Sequence, residues 1–419
     1  MTIVICGSLL IACAGPGPNM SPGTVTAVSQ SDARPDQATF KLVYAFPNHT
    51  AGAYPYGSLF ALKGLLYGTT LDGGSQCGSL GCGTVFSLSL KPSVKETVLH
   101  SFANSPDGWT PYSGVTALGN AIYGTTARPG YGIVYSVELS SGSETVLHYF
   151  KRTRDGRTPI GGMAVVGRML YGTTSGGYDG HGSVFSIDSS GHESVLYRFK
   201  GRPDGAISKG DLLAIGNVLY GTTESGGSNP GGNCSRNTGC GTVFSIALGP
   251  SGPQETVLYR FRGGANDGAV PMGGLISVNG LLYGVTASGG EGGCEDFDVN
   301  GCGTVFSLNP STGQEVLLHK FQSGGDGIFP VGNLAHRNGT LYGVTYSGGT
   351  YTGTVFSLKL DGSGYTILHN FLGGRKDGST PEAGLVLSNG IVYGTTGYGG
   401  GGKGCHSGGC GTIFSITPP

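Results

Sequence analysis

The chain has 419 residues, a formal net charge of −1 at pH 7, 12% charged residues and 83 glycines. A chain so close to neutrality lacks the basic patch that attracts nucleic acids or anionic membrane surfaces, so these two classes of partner are excluded. Scattered glycines in this number would indicate low complexity. Here they recur at fixed spacings between short apolar runs, which is typical of turn residues.

The start of the chain differs from the rest. Residues 3–14 are almost wholly apolar, too short to cross a bilayer, and placed where a signal peptide lies. They include Leu-Ile-Ala-Cys, which resembles the lipobox of bacterial lipoproteins and would make Cys13 the lipidated residue. We therefore expect residues 1–13 to be a signal peptide, either of a lipoprotein or of the ordinary cleaved kind. Residues 14–37, rich in Pro, Gly, Ser and Asp, predict a disordered tether.

From residue 38 onward the sequence is a tandem repeat. The motif Tyr-Gly-(Thr/Val)-Thr occurs seven times, and each copy is followed by a Gly-rich gap and a Gly-Thr-Val-Phe-like run. The seven motif tyrosines are Tyr67, Tyr123, Tyr171, Tyr220, Tyr283, Tyr342 and Tyr393. A period of roughly 50 to 60 residues built from short apolar runs is typical of propellers and related arrays.

Each repeat offers four strand candidates separated by turn residues. In the third copy they are residues 162–166, 169–174, 183–187 and 193–199. Four short antiparallel strands per repeat, in seven repeats, predict an all-β fold, a seven-bladed β-propeller over residues 38–419.

The two ends of the repeat region are out of phase in a way that predicts ring closure. The region begins at residues 40–46 with a run that matches the fourth strand of a blade, and it ends at residues 411–416 with a third strand. We expect the N-terminal strand to complete the last blade, because this leaves no unpaired edge.

Eight of the ten cysteines form close pairs in the same slot of four repeats, just before the Gly-Thr-Val-Phe or Gly-Thr-Ile-Phe run. Paired cysteines in a loop-rich chain indicate disulfides and an oxidising compartment. Zinc is the alternative, but each pair stands alone and no fixed C-x-x-C spacing occurs. The pairs are Cys77 with Cys82, Cys234 with Cys240, Cys294 with Cys302, and Cys405 with Cys410.

Five short motifs recur in fixed order from Phe40 to Pro419: Tyr-Gly-Thr-Thr, Gly-Gly, Gly-Thr-Val-Phe-Ser, Val-Leu-His-x-Phe and Asp-Gly-x-x-Pro. This succession resembles the bacterial GloVer tandem repeat, which is itself similar to kelch-type propeller repeats. The resemblance implies exported bacterial proteins with varied cell-envelope anchors. It carries over no catalytic residue.

In a four-stranded blade, the second-to-third and fourth-to-first connections emerge on one face of the ring. The second-to-third loops vary most in length here, which favours this face as the binding face. The fourth-to-first loops carry Asp-Gly in six repeats. These aspartates could bind cations or polarise a substrate, but their repetition favours turns in which the carboxylate caps backbone N–H groups. The histidines of Val-Leu-His belong to outer strands of different blades and cannot converge on one metal ion.

One loop has the opening of a calcium-binding motif. Asp296, Asp298, Asn300 and Gly301 match D-x-D-x-N-G, in which alternating oxygens surround a hard cation. The position of the bidentate glutamate is occupied by Ser307, so a neighbouring loop would have to supply that carboxylate. Calcium is the only cofactor that the sequence indicates, and a solvated acidic hairpin is the alternative.

Aromatic residues also collect on the glycine-rich loops of this face. Flat rings among small hydrogen-bonding residues suit a sugar or a peptide, although some of them could only cover the blade edges. The candidate ligand-binding residues are Trp109, Tyr131, Tyr178, Tyr346, Tyr351 and Tyr398, with Phe297 beside the acidic loop.

These features predict an exported or cell-envelope module that presents a loop face to a glycan or protein ligand, with no nucleic-acid partner and as a monomer. The alternative is a propeller-type extracellular hydrolase or lyase acting on polysaccharide. The sequence contains no Ser-His-Asp order, no H-E-x-x-H and no phosphate-binding loop, which favours binding over catalysis. A deep axial pocket lined by unrepeated charge would favour the enzyme, and a shallow aromatic face would favour binding.

Overall fold

A computed structural model describes residues 38–419 except 79, 178, 228–233, 235–237, 291, 297–298, 351 and 406–407. Ala38–Pro419 form one compact unit. It consists of seven four-stranded antiparallel sheets, the blades of a β-propeller, and within the described residues no helix is long and apolar enough to cross a membrane. The predicted all-β fold with seven four-stranded blades is confirmed.

The first three blades have strands of nearly identical length. From the axis outward, blade one contains Phe60–Leu62, Leu65–Thr70, Thr84–Ser89 and Lys95–Ser101. Blade two contains Thr116–Leu118, Ala121–Thr126, Ile133–Glu138 and Glu144–Tyr149. Blade three contains Ala164–Val166, Met169–Thr174, Ser183–Asp188 and Glu193–Arg198.

Among the next three blades, blades four and six contain longer strands, whereas blade five does not. Blade four contains Leu213–Ile215, Val218–Thr223, Thr242–Gly249 and Gly252–Arg260. Blade five contains Ile276–Val278, Leu281–Thr286, Thr304–Leu308 and Glu315–Lys320. Blade six contains Ile328–Arg337, Thr340–Ser347, Thr354–Lys359 and Thr366–Asn370.

Blade seven is assembled from both ends of the repeat region. Its inner strands are Val386–Ser388, Ile391–Thr396 and Thr412–Thr417, and its outermost strand is Thr39–Ala45. The outermost strand pairs antiparallel with the third strand, from Thr39 opposite Thr417 to Ala45 opposite Thr412. The predicted closure of the ring by the N-terminal strand is confirmed.

Four short two-stranded ribbons lie in the loops. Three have the same place in blades four, five and seven, and one is a hairpin within a single loop. Their strands are Gly205–Ala206 with Ser225–Gly226, Gly268–Ala269 with Ser288–Gly289, Gly378–Ser379 with Tyr398–Gly399, and Glu295–Asp296 with Val299–Asn300.

The core is divided among the blade interfaces. One apolar cluster lies between each pair of consecutive blades, and each contains a T-shaped aromatic pair with ring centroids 5.0 to 5.4 Å apart. In each pair, a phenylalanine just after an outermost strand meets a ring from the third strand of the next blade, as Phe199 meets Phe244. The recurring Val-Leu-His-x-Phe and Thr-Val-Phe motifs are therefore the two halves of one packing interaction.

The glycine of Tyr-Gly-Thr-Thr is required by the same packing. A Cβ at Gly172 would lie 2.5 Å from Cζ of Phe185 in the neighbouring strand, and the other six blades show the same conflict at this position. The second threonine of the motif has a different role. In six blades its hydroxyl meets the first hydroxyl of the third strand, as Thr70 Oγ1 lies 2.8 Å from Thr84 Oγ1, which pairs two buried polar groups.

All four predicted disulfides are present. Each closes a second-to-third loop immediately before the third strand, and the second cysteine of each pair is buried. The zinc alternative for these cysteines is thereby removed. Cys13 lies outside the described residues.

Candidate functional site

The second-to-third and fourth-to-first connections do share one side of the ring. In blade one the end of the second strand, Thr70, is opposite the start of the third, Thr84, which is also opposite the end of the fourth, Ser101. We call this side the loop face.

The most variable position of the repeat lies where the chain crosses from one blade towards the axis of the next. In six blades a buried proline precedes it, and Ser208 takes that place in blade four. The residue that follows differs from blade to blade. These residues, here called the mouth residues, are Tyr56, Tyr112, Ile160, Lys209, Met272, Val331 and Glu382.

The two residues after each mouth residue are small and close the axis. A Cβ at Gly210 would lie 2.4 Å from the carbonyl oxygen of Gly273 in the next blade, so only glycine fits there. Asn333 Nδ2 donates to Asp211 Oδ2 at 2.6 Å, between blades six and four. We call these residues, which pack against those of neighbouring blades, the floor of the mouth.

Four tyrosines cluster on one side of the mouth: Tyr56, Tyr112, Tyr346 and Tyr398. The hydroxyl of Tyr56 donates to that of Tyr398 at 3.4 Å, and the rings of Tyr56 and Tyr112 lie nearly parallel, 6.4 Å apart. Tyr398 also packs against Tyr54, with ring centroids 5.1 Å apart. A Cβ at Gly397 would lie 2.5 Å from Cε1 of Tyr56, so this glycine makes room for the ring.

Glu382 is the acidic member of this cluster. Burial raises the pKa of its carboxyl to about 8, and a hydrogen bond with Tyr56 opposes that rise. Burial, and then the charge of Glu382, raise the pKa of Tyr56. At neutral pH the carboxyl is therefore mostly protonated and can donate as well as accept a hydrogen bond.

The mouth residues of blades three to six are of a different kind. Lys209 Nζ lies 2.5 Å from Glu224 Oε2, which neutralises both charges. Ile160, Met272 and Val331 are partly buried apolar side chains. The mouth thus combines aromatic rings, a protonated carboxyl and the Lys209–Glu224 ion pair. It carries no excess of positive or negative charge that would select an ionic ligand.

Two of the aromatic residues predicted from sequence lie in this cluster, Tyr398 and Tyr346. Tyr346 also packs against the core between blades five and six, and its proximity contributes to the raised pKa of Tyr56. Trp109 lies elsewhere on the loop face, between blades one and two. Its ring packs on their core, and the guanidinium of Arg128 lies 5.0 Å from the ring centroid.

The remaining predicted aromatic residues are not brought into the cluster. Tyr131 is 39% exposed, and its backbone carbonyl accepts a hydrogen bond from Thr158 N at 2.7 Å. Tyr178, Tyr351 and Phe297 lie outside the described residues.

The predicted calcium loop has a defined backbone only in part. Glu295–Asp296 and Val299–Asn300 form an antiparallel hairpin enclosed by the Cys294–Cys302 disulfide. Asp298 lies outside the described residues, as does the side chain of Asp296, and Asn300 is exposed. Calcium binding by Asp296, Asp298 and Asn300 stays a prediction.

The repeated Asp-Gly aspartates brace the loops between blades. In each of the six, the carboxylate accepts a hydrogen bond from a backbone N–H four or five residues earlier, as from Lys151 N to Asp155 Oδ1 at 2.7 Å. It also meets the His or Tyr of the preceding outermost strand, as His148 Nε2 lies 2.9 Å from Asp155 Oδ2. We use the term blade junction for three positions together: the aspartate position, the His or Tyr of the preceding outermost strand, and the residue that the next blade places against them.

A small cleft lies on blade three, lined by Arg152, Arg154, His181 and Arg198 among others. Its water-accessible volume is about 20 Å³, which holds about one water molecule. It is too small for a sugar ring, so the mouth is the better candidate for a ligand site.

Tyr56, Tyr112 and Glu382 were not among the site residues predicted from the sequence. The signal was available: all three follow a proline at the same repeat position, and that position is the most varied within an otherwise regular motif. What could not be read from the sequence is that Tyr346, near the end of the second strand of blade six, and Tyr398, in the second-to-third loop of blade seven, join them.

Comparison with family models matches residues 7–235 and 233–414 to the Gloeobacter/Verrucomicrobia repeat, so the chain belongs to this family of tandem-repeat propellers. The resemblance seen in the sequence is confirmed. A search of curated proteins gives no match.

Several solved structures are similar to the chain. One is assigned as the extracellular domain of a one-component system of B. thetaiotaomicron, with a TM-score of 0.53, 11% identity, and coverage of 90% of this chain and 40% of that one. Another, from Bacteroides uniformis, is assigned as a 6-phosphogluconolactonase, with a TM-score of 0.51, 13% identity, and coverage of 76% and 85%. An oligogalacturonate lyase from Vibrio parahaemolyticus has a TM-score of 0.49, 11% identity, and coverage of 91% and 97%. At these identities the likeness shows the fold alone.

Proposed function

We propose that the protein is an exported binding module whose mouth recognises a neutral oligosaccharide at the cell surface. The observation that carries this proposal is the clustering of Tyr112, Tyr346 and Tyr398 around Tyr56, which is hydrogen-bonded to Glu382, in an otherwise repetitive ring. The packing of the blades does not require Tyr56, Tyr112 or Glu382, because the equivalent positions of other blades are occupied by Ile160, Met272 and Val331.

The chemistry of the cluster suits a sugar. Tyr112 is 40% exposed, so a face of its ring is available to stack against the C–H face of a pyranose. Hydroxyls at Tyr56 and Tyr398 and the carboxyl of Glu382 supply donors and acceptors at the edge of this surface.

The exported location is supported by the four disulfides, since such bonds persist in oxidising compartments. Attachment through a lipid on Cys13, and assistance by calcium at Asp296, Asp298 and Asn300, remain parts of this proposal.

A glycan array probed with the purified protein tests the proposal, followed by calorimetric titration of the best glycan into three proteins. Wild type and Tyr131→Ala should bind alike, because Tyr131 lies outside the cluster. Tyr112→Ala should bind roughly fivefold more weakly, since aromatic contacts of this kind contribute about 1 kcal/mol. Equal binding by Tyr112→Ala, or no glycan bound at all, would refute an oligosaccharide site at the mouth and favour a protein ligand.

A second candidate is a polysaccharide-cleaving enzyme, and one observation favours it. A carboxyl held protonated near neutrality, as Glu382 is, could serve as a general acid. Incubating bound glycans with wild type and with Glu382→Gln decides the matter. New reducing or unsaturated ends formed by wild type and not by the variant would establish catalysis, and intact glycans in both would leave binding alone.

A further inference from the structure

We propose that two of the seven blade junctions, on the outer part of the ring, bind a divalent transition-metal ion such as Zn²⁺. One lies between blades one and two and contains His100, Asp107 and Glu144. The other lies between blades two and three and contains His148, Asp155 and Glu193. In each, one imidazole nitrogen and two carboxylates face the same point.

The ligand atoms are close enough for one ion. In each set they lie within 4.8 Å of one another. His100 Nε2 is 3.0 Å from Asp107 Oδ1, and His148 Nε2 is 2.9 Å from Asp155 Oδ2. Two ligands at 2.0 to 2.1 Å from a tetrahedral zinc ion are separated by about 3.3 Å, so only a small adjustment is needed.

The proposed ligands are also held in place by contacts with neighbouring residues that would not bind the metal ion. The second oxygen of each aspartate accepts a backbone hydrogen bond, from Ala103 N at 2.5 Å for Asp107. Each imidazole packs edge-on against the phenylalanine two residues later, with centroids 5.0 Å apart. Such outer contacts orient metal ligands in known sites.

Each glutamate brings a buried carboxyl oxygen into its junction, as Glu96, Glu255 and Glu315 do in three other junctions, but only in these two of the described junctions does a histidine complete the set. Oε1 of Glu144 and Oε1 of Glu193 are both buried and have no hydrogen-bond partner among the described residues. A metal ion would satisfy both the unpaired oxygen and the repulsion between the carboxylates.

The other junctions of the same ring lack at least one of the three ligands. Between blades three and four, and between four and five, tyrosine replaces histidine, and its hydroxyl donates to the aspartate. In the next two, an aromatic ring replaces the glutamate and stacks on the histidine, as Tyr365 stacks on His319 at 3.8 Å. The junction that closes the ring has Ala51 in place of the aspartate. The chain therefore contains its own controls.

The test is a calorimetric titration of Zn²⁺ into chelator-treated full-length protein. We expect two ions per wild-type chain, one for Glu144→Gln, one for Glu193→Gln, and none at these sites for the double variant. His319→Gln, which alters a junction without glutamate, should still bind two. Co²⁺ in place of Zn²⁺ should give the visible absorption of a low-coordinate site in wild type and lose it in the double variant.

The glutamine variants keep the shape of the protonated carboxyl, so their melting temperatures without metal should match wild type, and a folding defect would be seen there. A second pair, His100→Gln and His148→Gln, removes the nitrogen ligand instead and should lower the stoichiometry in the same way. The proposal is overturned if wild type binds no zinc, or if the double glutamate variant binds as many ions as wild type. The latter result would locate binding at exposed pairs such as His192 with Asp188, and would leave the junctions with a proton only.

Discussion

The blade junctions and the mouth are both polar, both lie at crossings between blades, and differ in one respect. The junctions repeat: six of them have the same aspartate making the same backbone hydrogen bond, and their tyrosine or histidine neighbours exchange without changing that contact. The mouth does not repeat, because the seven blades contribute six different residue types to it, with tyrosine in two of them.

In a ring of near-identical units this difference separates scaffold from site. A contact that every blade must make to pack against its neighbour recurs in every blade, whereas one ligand needs its partners at one place only. The aspartates that first suggest a ring of catalytic carboxylates are loop braces, and the residues without a motif, such as Tyr112 and Glu382, form the candidate site.

The largest effect is expected from breaking the repeated packing. Phe46 directly follows the strand that closes the ring, and Phe199 directly follows the outermost strand of blade three. Both side chains are fully buried. Phe46→Ala and Phe199→Ala should each lower the free energy of unfolding by about 3–5 kcal/mol, measured by denaturant unfolding. A much smaller loss at Phe46 would mean that the closing strand is not an ordinary outer strand.

A smaller loss of stability, with no change in ligand binding, is expected from Gly172→Ala. The added methyl group would press on Phe185, and overpacking of this kind costs about 1–3 kcal/mol. Gly249→Ala is the matched control, because nothing lies within 4 Å of a Cβ there. If the two variants unfold alike, the proposed reason for the glycine in Tyr-Gly-Thr-Thr is incorrect.

The smallest effect is a pH dependence that the junctions impart. Burial, and then the charge of Asp267, raise the pKa of Glu315 from the ordinary 4.5 to about 7. The folded state therefore holds this proton more tightly than the unfolded state. The resulting stability is complete below the unfolded pKa and is lost as the pH rises through about 7.

The variant Glu315→Gln should accordingly show a shallower fall in melting temperature than wild type between about pH 5 and pH 8. The melting temperature of Glu138→Gln, a variant outside the junctions, should fall over this pH range as that of wild type does. Identical slopes for all three proteins would show that Glu315 is not protonated in the folded ring.

The fold could be predicted from sequence because the ring is built by repetition. Seven copies of Tyr-Gly-Thr-Thr define the blades, and the phase of the strand at residues 39–45 against that at 412–417 gives the closure. The disulfides followed from their common slot.

The site could be predicted only in part, for a physical reason. Tyr398 and Tyr346 were recognised as aromatic loop residues, but their convergence on Tyr56 and Glu382 depends on which loops meet near the axis, and that depends on three-dimensional placement. The floor, made of glycine backbone with Asp211 and Asn333, likewise has no motif and becomes visible only where the seven crossings meet.

The most direct test of the central claim is the crystal structure of the protein with the strongest glycan from the array. The account predicts a sugar ring stacked on Tyr112 or Tyr56, with a hydroxyl within hydrogen-bonding distance of the Glu382 carboxyl. A glycan bound to the outer edge of a blade or to the face opposite the loops, with the mouth empty, would contradict it.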